Sequence, residues 1–464
     1  MHKFFDMKFF IQIHVFVFLV LTVKYTPAQV IAFPLKASVN NHYITDQNNN
    51  PVFLNGCASW RLGYNTTIRD AKKYLADRRT KGFNALIVEI SPDNDANNGG
   101  NAPNVYGQYC FLDKDISKPN EQFFVHADSV LQLCNDMNFA VLLFPLYLGC
   151  CKDGWLEILQ QSPNNVEKCN AYGKWVAERY KHFNNIIWGS GGDHNETPES
   201  IAFAEGIVAV DTIHLHTYHT NPAYTSTERL PDAKWLTLSC IYTYFPDMNI
   251  QEYHVYGQIY REKLRNKRMP FIMSESAYEN ERNESTQTLR RQAYWSLLSG
   301  AGGHIFGNRD LWEMNKYWPK ALNTPGNKSM QHFQAFVKTI PWYMMEADWQ
   351  HLLFVSGRGI FNGGTDPGGE DYATAAFATD KSVAVIYLPT FRKVCANMER
   401  FKGKVAAKWF DPSNGKYLHI QKTFLNNGMA CFIPPTETNS QGFEDWVLIL
   451  ETSALPHGQE NGAK

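Results

Sequence analysis

The chain has 464 residues, with 44% hydrophobic residues and a formal net charge of −1. This length suits one domain of barrel size followed by a smaller one. The balanced charge gives no electrostatic reason to expect nucleic acid or an anionic membrane surface as a partner.

The first residues follow the order of a secretory signal. Positive charge at Met1-His2-Lys3 precedes an apolar run over Phe9–Val23, and small residues end at Ala28. The apolar run is shorter than the ~20 residues that a membrane-spanning helix needs, so we expect no stable membrane insertion. The sequence therefore predicts a signal peptide over residues 1–28, cleavage near Ala28, and a secreted or periplasmic protein.

The chain that follows alternates short apolar runs with segments of helical period. A hairpin over Leu35–Pro51, turning at Gln47–Asn50, precedes this region. Repeated βα units of this kind predict a (β/α)8 TIM barrel over residues 29–342. The predicted strands are Phe53–Ala58, Ala85–Ile90, Ala140–Pro145, Ile186–Gly189, Thr212–His216, Trp235–Ile241, Phe271–Ser274 and Gly303–Phe306. The main predicted helices are Ile68–Lys81, Phe123–Met137, Val166–His182, Ile250–Arg265 and Gln287–Ser299.

The pattern changes after Trp342. Short strands are separated by Gly, Pro and Asn turns and lack a helical period, which predicts a β-sandwich domain over residues 343–464. Its strands are predicted at Ala373–Ala378, Val383–Leu388, Val405–Phe410 and Trp446–Leu450.

Two carboxylates follow predicted strands at opposite sides of the barrel mouth. Asp193 follows the fourth strand after two glycines, and Glu275 ends the seventh. Catalytic groups of such barrels lie at the carboxyl ends of the strands. Cleavage of a glycosidic bond needs one carboxylic acid and one carboxylate on opposite faces of the sugar. The sequence thus predicts a glycoside hydrolase with Asp193 and Glu275 as its catalytic pair, although a strand-end acid also often caps a helix or pairs with an arginine.

A histidine-rich strand supports an alternative class. His214 and His216 alternate along one strand and could share a metal ion in a metal-dependent hydrolase. Hydrolases of that type carry the His pair on their first strand, however, and here the first strand ends in Cys57-Ala58-Ser59-Trp60. We therefore expect no metal and no other cofactor. A His216 or His219 that contacts sugar hydroxyls, or is buried, fits the pattern better.

Other polar and aromatic side chains near strand ends are predicted to contact the carbohydrate substrate, since aromatic faces and a few polar groups line most ligand sites. Glu89, Asp93 and Glu279 are reserve acids that could instead tune the pKa of the main pair. The predicted substrate-binding residues are Trp60, Glu89, Asp93, Trp188, His194, His216, Tyr218, Tyr278, Glu279, His304, Asn308 and Trp312.

Long runs of residues resemble glycoside hydrolase family 140, the apiosidase-like proteins with a C-terminal domain that carries a collagen-binding label. The runs that carry the resemblance include Tyr74–Asn84, Lys118–Glu121, Ala171–Trp175, Asn185–Trp188, Gly191–Asp193, Gly300–His304, Pro341–Trp342 and Trp409–Pro412. The resemblance implies a barrel, a small β-domain, and catalysis by the acid of Gly-Gly-Asp and the first Glu of Glu-x-x-Tyr-Glu, which are Asp193 and Glu275 here.

The chain departs from the family pattern at three positions that we expect to line the sugar pocket: Cys57, Cys240 and Ser276. The resemblance therefore implies the chemistry more strongly than the sugar. Apiose in plant pectin, another pentofuranose and a different glycan all remain candidate targets. A carbohydrate-binding protein that keeps the fold without turnover is a further alternative. The nine cysteines lack the paired spacing of a zinc site, and their disulfide pairing does not follow from the sequence.

Overall fold

The computed structural model describes residues 30–92, 102–150, 154–244, 255–266, 268–282, 284–361 and 369–452. The predicted signal peptide and Asp93 lie outside these residues.

The chain opens with a short hairpin under the barrel. Strands β1 (Lys36–Ala37) and β2 (Ile44–Thr45) pair in antiparallel fashion, so the turn that joins them spans residues 38–43 and is not the predicted one at 47–50. A second reversal does occur at 47–50, where the Asp46 N–H donates to the Asn50 carbonyl at 3.0 Å. Asp46 stabilises this reversal because its carboxylate accepts the backbone N–H groups of Asn48 and Asn50.

Eight parallel strands form the predicted barrel. Their order in the sheet follows the chain except that the last strand closes back on the first, and the ladder is interrupted only between the fifth and sixth barrel strands. There the N–H groups of Thr237 and Leu238 donate to the His216 carbonyl and hold the two strands together. The barrel strands are β3 (Leu54–Ala58), β4 (Ala85–Glu89), β5 (Ala140–Phe144), β6 (Ile186–Gly191), β7 (His216–His219), β8 (Ser239–Tyr244), β9 (Phe271–Ser276) and, after the two-residue strand β10 (Tyr278–Glu279), β11 (Gly303–Asn308).

Helices surround the barrel on its outside. The limits of the five predicted helices agree to within a few residues where the structure describes them; residues 250–254, where one of them is predicted to begin, lie outside the described residues. Side-chain caps define several helix starts, as when Ser285 accepts the Thr288 N–H. The helices are α1 (Ile68–Thr80), α2 (Glu121–Asp136), α3 (Leu156–Leu159), α4 (Val166–Tyr180), α5 (Pro198–Val208), α6 (Ser226–Arg229), α7 (Val255–Arg265), α8 (Thr286–Ser299), α9 (Arg309–Trp312), α10 (Trp318–Ala321) and α11 (Pro325–Val337).

The fifth barrel strand begins later than its sequence predicts. The prediction was Thr212–His216, whereas β7 covers His216–His219. Asp211 explains the shift, because its Oδ1 accepts the N–H groups of Ile213 and His214 and holds this segment in a turn. The strand therefore presents His219, and not His214, at the carboxyl end of the barrel.

Antiparallel strands form the predicted C-terminal β-sandwich. The strands are β12 (Met345–Ala347), β13 (Phe354–Ser356), β14 (Thr374–Ala378), β15 (Val383–Leu388), β16 (Val394–Asn397), β17 (Val405–Asp411), β18 (Lys416–Phe424), β19 (Met429–Phe432) and β20 (Trp446–Thr452). One sheet has six strands in the order β12-β14-β15-β20-β17-β18, and the other has three in the order β13-β16-β19. Apolar side chains such as Leu388, Trp409 and Leu448 fill the space between the sheets. A disulfide joins Cys395 and Cys431 in adjacent strands of the smaller sheet.

The sandwich packs on barrel helix α8 through a buried ion pair. The Arg290 guanidinium donates two hydrogen bonds of 2.8 Å to the carboxylate of Asp445, and both side chains are 0% exposed. Nearby, the Tyr294 ring stacks on Tyr387 with centroids 4.9 Å apart. The barrel and the sandwich thus share buried polar and aromatic contacts. The predicted domain limit between residues 342 and 343 stays a prediction.

Candidate active site

Asp193 lies just beyond β6, where the backbone turns sharply. Gly191, Gly192 and Asp193 all have positive φ, at 84°, 107° and 49°, a conformation that favours glycine. There is also no room for side chains, since a Cβ on Gly191 would lie 2.4 Å from the His219 carbonyl oxygen. The glycines are therefore required for the turn that directs Asp193 into the barrel mouth.

Replacing Gly192 with Ala should displace Asp193 and lower kcat by ~10²-fold, the effect of a misplaced catalytic group. The added Cβ would lie 2.3 Å from Cδ2 of Tyr147 and would sit on a backbone with φ of 107°. Gly300→Ala is the matched control, because Gly300 has φ of 101° with nothing within 4 Å of its Cβ position. Steady-state kinetics measure kcat of both variants, and circular dichroism verifies that they fold. Normal kcat in Gly192→Ala as well as in the control would contradict the expectation.

Glu275 lies in β9, the seventh barrel strand, and points into the barrel opposite Asp193. Its side chain is 6% exposed, whereas that of Asp193 is 15% exposed. A carboxylate oxygen of each acid and a ring nitrogen of His219 all lie within 4.8 Å of one another. The structure thus brings together the two acids that the sequence selected.

Burial raises the pKa of both acids. For Asp193, desolvation and then the charge of Glu275 raise the pKa to about 7, against the opposing effects of His219 and of the Tyr147 and Tyr242 hydroxyls. For Glu275, desolvation raises the pKa to about 8, with a further increase from the charge of Glu281 and opposing hydrogen bonds from Tyr278 and Tyr242. Burial alone therefore does not place the proton on Asp193. Two carboxyl groups this close do not both ionise easily, so the pair tends to keep one shared proton near neutral pH.

A cavity of ≈150 Å³ opens over the two acids. Four of the predicted substrate-binding residues line it: Trp60, Glu89, Tyr278 and Trp312. The indole N–H of Trp60 donates to the Tyr278 hydroxyl at 3.0 Å and orients both rings. Aromatic faces beside paired acids provide the surface that a sugar ring needs.

Three predicted residues lie outside the cavity because strand parity turns them toward the helices. The Tyr218 hydroxyl lies 3.0 Å from Ser200 of α5. The Trp188 indole donates to Oδ2 of Asp211, and His216 Nε2 lies 2.8 Å from the Asp211 carbonyl oxygen. Each contact stabilises the layer between strands and helices.

The remaining predicted residues that the structure describes also lie outside the cavity wall. Glu279 accepts the Gly326 N–H at 2.7 Å and the Asn308 amide at 2.9 Å, and so anchors the start of α11. Asn308 caps α9. His304 is buried with its ring 6.2 Å from that of Phe333, and His194 contacts the neighbouring Asn195 carbonyl.

Several cavity residues were not selected from the sequence. Glu281 accepts hydrogen bonds from the Trp312 indole at 2.7 Å and from the Tyr244 hydroxyl at 3.1 Å, and Arg61 lies 5.0 Å from the Trp312 ring centroid. Tyr147 and Cys150 complete the wall. Tyr242 donates to Asp193 Oδ2 at 3.2 Å. Tyr242 and Tyr244 lie on the same face of β8 and follow from strand parity. Arg61 lies in a 3-10 turn over Trp60–Gly63, and Tyr147 and Glu281 lie in loops, none of which has a periodic signal.

The three departures from the family pattern do not line the cavity, contrary to expectation. The Cys57 thiol accepts a hydrogen bond from Tyr74 at 3.1 Å, Cys240 accepts one from Thr217 at 3.0 Å, and Ser276 lies 3.4 Å from His304. All three are buried. Any influence of these residues on the sugar would therefore be indirect.

The proposed histidine metal pair is engaged elsewhere. His214 Nδ1 lies 2.5 Å from the Asp211 carboxylate, beside the contact of His216 with the same residue. Across the part of the chain that the structure describes, the one group of three side chains close enough to share a metal ion is Asp193, His219 and Glu275.

The same described part contains no helix long and apolar enough to cross a membrane.

Comparisons with known proteins agree with this geometry. Residues 38–344 match the family described as "Apiosidase-like, catalytic domain", and residues 364–451 match the "Putative collagen-binding domain of a collagenase". A solved structure titled "Glycoside hydrolase" is 25% identical with a TM-score of 0.78, covering 92% of this chain and 98% of its own. A glycoside hydrolase family 5 structure from Bacteroides vulgatus ATCC 8482 is 23% identical, also with a TM-score of 0.78, covering 92% and 95%. No curated protein sequence matches the chain.

The barrel, its resemblance to these enzymes and the family match define the protein as a glycoside hydrolase. Since the catalytic-domain match covers more than half of the chain, the chain belongs to the apiosidase-like family.

Proposed function

We propose that the enzyme removes a sugar from a side chain of a plant-derived polysaccharide or oligosaccharide, with Asp193 as general acid/base and Glu275 as nucleophile, in the manner of glycoside hydrolase family 140. The observation that carries this proposal is the pair of buried carboxylates facing each other in an aromatic-lined cavity on the fourth and seventh barrel strands.

The spacing of the acids supports a retaining mechanism. Retaining enzymes hold their carboxyl groups ~5–5.5 Å apart, and inverting enzymes hold them ~6.5–9.5 Å apart. Oxygens of Asp193 and Glu275 lie within 4.8 Å, which leaves little room for an attacking water between acid and sugar. Glu275 would attack the anomeric carbon while Asp193 protonates the departing oxygen, and Asp193 would then deprotonate the water that releases the sugar. Proton NMR of the first-formed anomer tests this assignment.

We expect a bell-shaped pH profile of kcat/KM centred near neutrality. The active pair carries one proton. Activity should fall at low pH, where the nucleophile becomes protonated, and at high pH, where the acid catalyst loses its proton. Burial raises the pKa of both acids, and therefore both limbs move upward from the pH near 4 where free carboxyls titrate. In Glu275→Gln, the pKa of Asp193 should fall because the neighbouring charge is gone, which carbon NMR of labelled Asp can measure. An optimum near pH 4 would contradict this expectation.

The sugar itself is a proposal at the level of class. The small cavity and its Trp60 and Trp312 rings support recognition of a single terminal sugar, with apiose or another pentofuranose of plant pectin as the first candidates. A panel of plant and microbial glycans, analysed for released monosaccharide with and without exhaustive chelation, is the test. Release that survives chelation would support the carboxylate mechanism, whereas retention of glycan without release would contradict turnover.

We also propose that the enzyme is exported after cleavage near Ala28. The Cys395–Cys431 disulfide supports this proposal, because disulfides persist mainly in oxidising compartments. N-terminal sequencing of protein recovered outside the cytoplasm should begin at or near Gln29, and recovery of the uncleaved chain in the cytoplasm would contradict export.

A further inference from the structure

His219 lies between the two acids at the carboxyl end of β7. Its side chain is 0% exposed, and its ring is held edge-on by Trp60 and Phe144, with centroids 5.7 and 5.9 Å away. The Gly192 N–H donates to the His219 carbonyl at 2.8 Å, so the backbone that carries Asp193 is tied to the same residue. This packing leaves the imidazole little freedom to rotate.

Each ring nitrogen faces a different acid. Nε2 lies 3.1 Å from Oε2 of Glu275, and Nδ1 lies 3.6 Å from Oδ1 of Asp193. Within the described residues, none of these four buried atoms has a partner that meets hydrogen-bond geometry. Buried polar atoms rarely remain unpaired, and catalytic hydrogen bonds often tighten only when substrate binds. We therefore expect these four atoms to form hydrogen bonds when substrate binds.

The ring is suited to contact one acid as a donor and the other as an acceptor. Burial lowers the pKa of His219, against the charge of Asp193 and the backbone of Thr220, and so favours the neutral ring. A neutral imidazole has one N–H and one lone pair. The titratable groups that face it are Asp193 after β6, Glu275 on β9 and Tyr242 on β8, whose ring centroid is 4.8 Å away.

We propose that His219 is a positioning residue that holds the two acids in opposite protonation states. Its Nε2–H donates to the Glu275 carboxylate, which is the nearer contact, and its Nδ1 lone pair accepts from the protonated Asp193. The ring thereby keeps the nucleophile ionised and the acid catalyst protonated. Burial alone does not produce this difference, because both acids are buried. This inference rests on the proposed function.

Two substitutions separate the polar role from packing. His219→Phe keeps an aromatic ring against Trp60 and Phe144 but removes donor and acceptor, and His219→Gln keeps one donor and one acceptor. We expect the Phe variant to lose ~10²-fold in kcat with KM nearly unchanged, and the Gln variant to recover about tenfold of that loss, since misplaced catalytic groups cost on this order. Equal losses in both variants, or normal kcat in the Phe variant, would overturn the proposal.

Nitrogen NMR of the imidazole provides a readout that needs no substrate. With labelled histidine, His219 should appear as a single neutral tautomer protonated at Nε2 across the pH range of activity. An imidazolium, or protonation at Nδ1, would overturn the inference. Asp193→Asn and Glu275→Gln, assayed beside these variants, separate a failure of the His219 role from a failure of the proposed function. If both acid variants are inactive while His219→Phe has normal activity, the His219 role is wrong and the proposed function stands.

Discussion

Replacement of either acid should reduce kcat by a factor on the order of 10³ or more, because in the proposed mechanism each acts on the reacting bond. The two variants should differ in kind. An activated aryl glycoside has a leaving group that needs no proton, so Asp193→Asn should cleave it rapidly once and then stall at the covalent intermediate. Glu275→Gln should form no intermediate with any substrate. Burst kinetics and intact-protein mass spectrometry on the same aryl glycoside measure both outcomes.

Glu279→Gln is the control for this pair. Glu279 is a buried acid four residues after Glu275, but it bonds to Gly326 and Asn308 outside the cavity. The variant should unfold at a lower temperature and keep kcat within about twofold while folded, since it touches no reacting atom. If Glu279→Gln were inactive while Glu275→Gln retained turnover, the assignment of the nucleophile would be wrong.

Substitution of Arg290 by Met should lower the free energy of unfolding by ~3–5 kcal/mol, because it leaves the Asp445 carboxylate buried and unpaired. Asp445 also accepts hydrogen bonds from the Asn439 amide at 2.7 Å and the Tyr387 hydroxyl at 3.2 Å. These contacts hold the carboxylate in place, so it has no short route to water. Urea unfolding monitored by tryptophan fluorescence and circular dichroism measures the change.

Two further variants isolate the buried charge as the cause. Arg290→Met combined with Asp445→Leu removes both charges, and should recover part of the lost stability. Arg309→Ala breaks a surface pair with Glu313 at 3.4 Å, where the arginine is 59% exposed, and should change stability by less than ~1 kcal/mol. A loss in Arg309→Ala as large as that in Arg290→Met would contradict the explanation.

Much of the fold follows from the sequence because its signals are local. Apolar runs between turns predict all eight barrel strands, the fifth of them only in part, and four of the nine sandwich strands in the described residues. Their positions after strands four and seven predict the two acids. The catalytic roles of the two acids stay a prediction that the substitutions above test.

Strand parity explains the missed residues that lie on strands. Successive side chains on a strand point to opposite faces, so a residue can be assigned to the barrel interior only when the parity of its strand is known. With β7 starting at His216, the strand turns His216 and Tyr218 toward the helices and His219 toward the acids. The turn at Asp211 that sets this start depends on a side-chain contact and has no periodic pattern.

Loop residues could not have been located in this way. Tyr147 and Glu281 reach the cavity from loops, and Arg61 reaches it from a single 3-10 turn over Trp60–Gly63. Their positions depend on contacts between distant parts of the chain. The Glu281 carboxylate, for example, is oriented by Trp312 and Tyr244, which come from different βα units.

The ion pair between α8 and the sandwich also bears on how this enzyme could be engineered. The described residues from Ile31 onward form one compact unit, and the fully buried Arg290 is paired with Asp445 of the sandwich. Deleting the sandwich would expose the Arg290 guanidinium and the Tyr294 ring on α8, the helix between the seventh and eighth barrel strands. A chimera that transplants the barrel onto another accessory domain would therefore need a substitute carboxylate at this point. The sandwich is better regarded as part of the catalytic scaffold than as an exchangeable module.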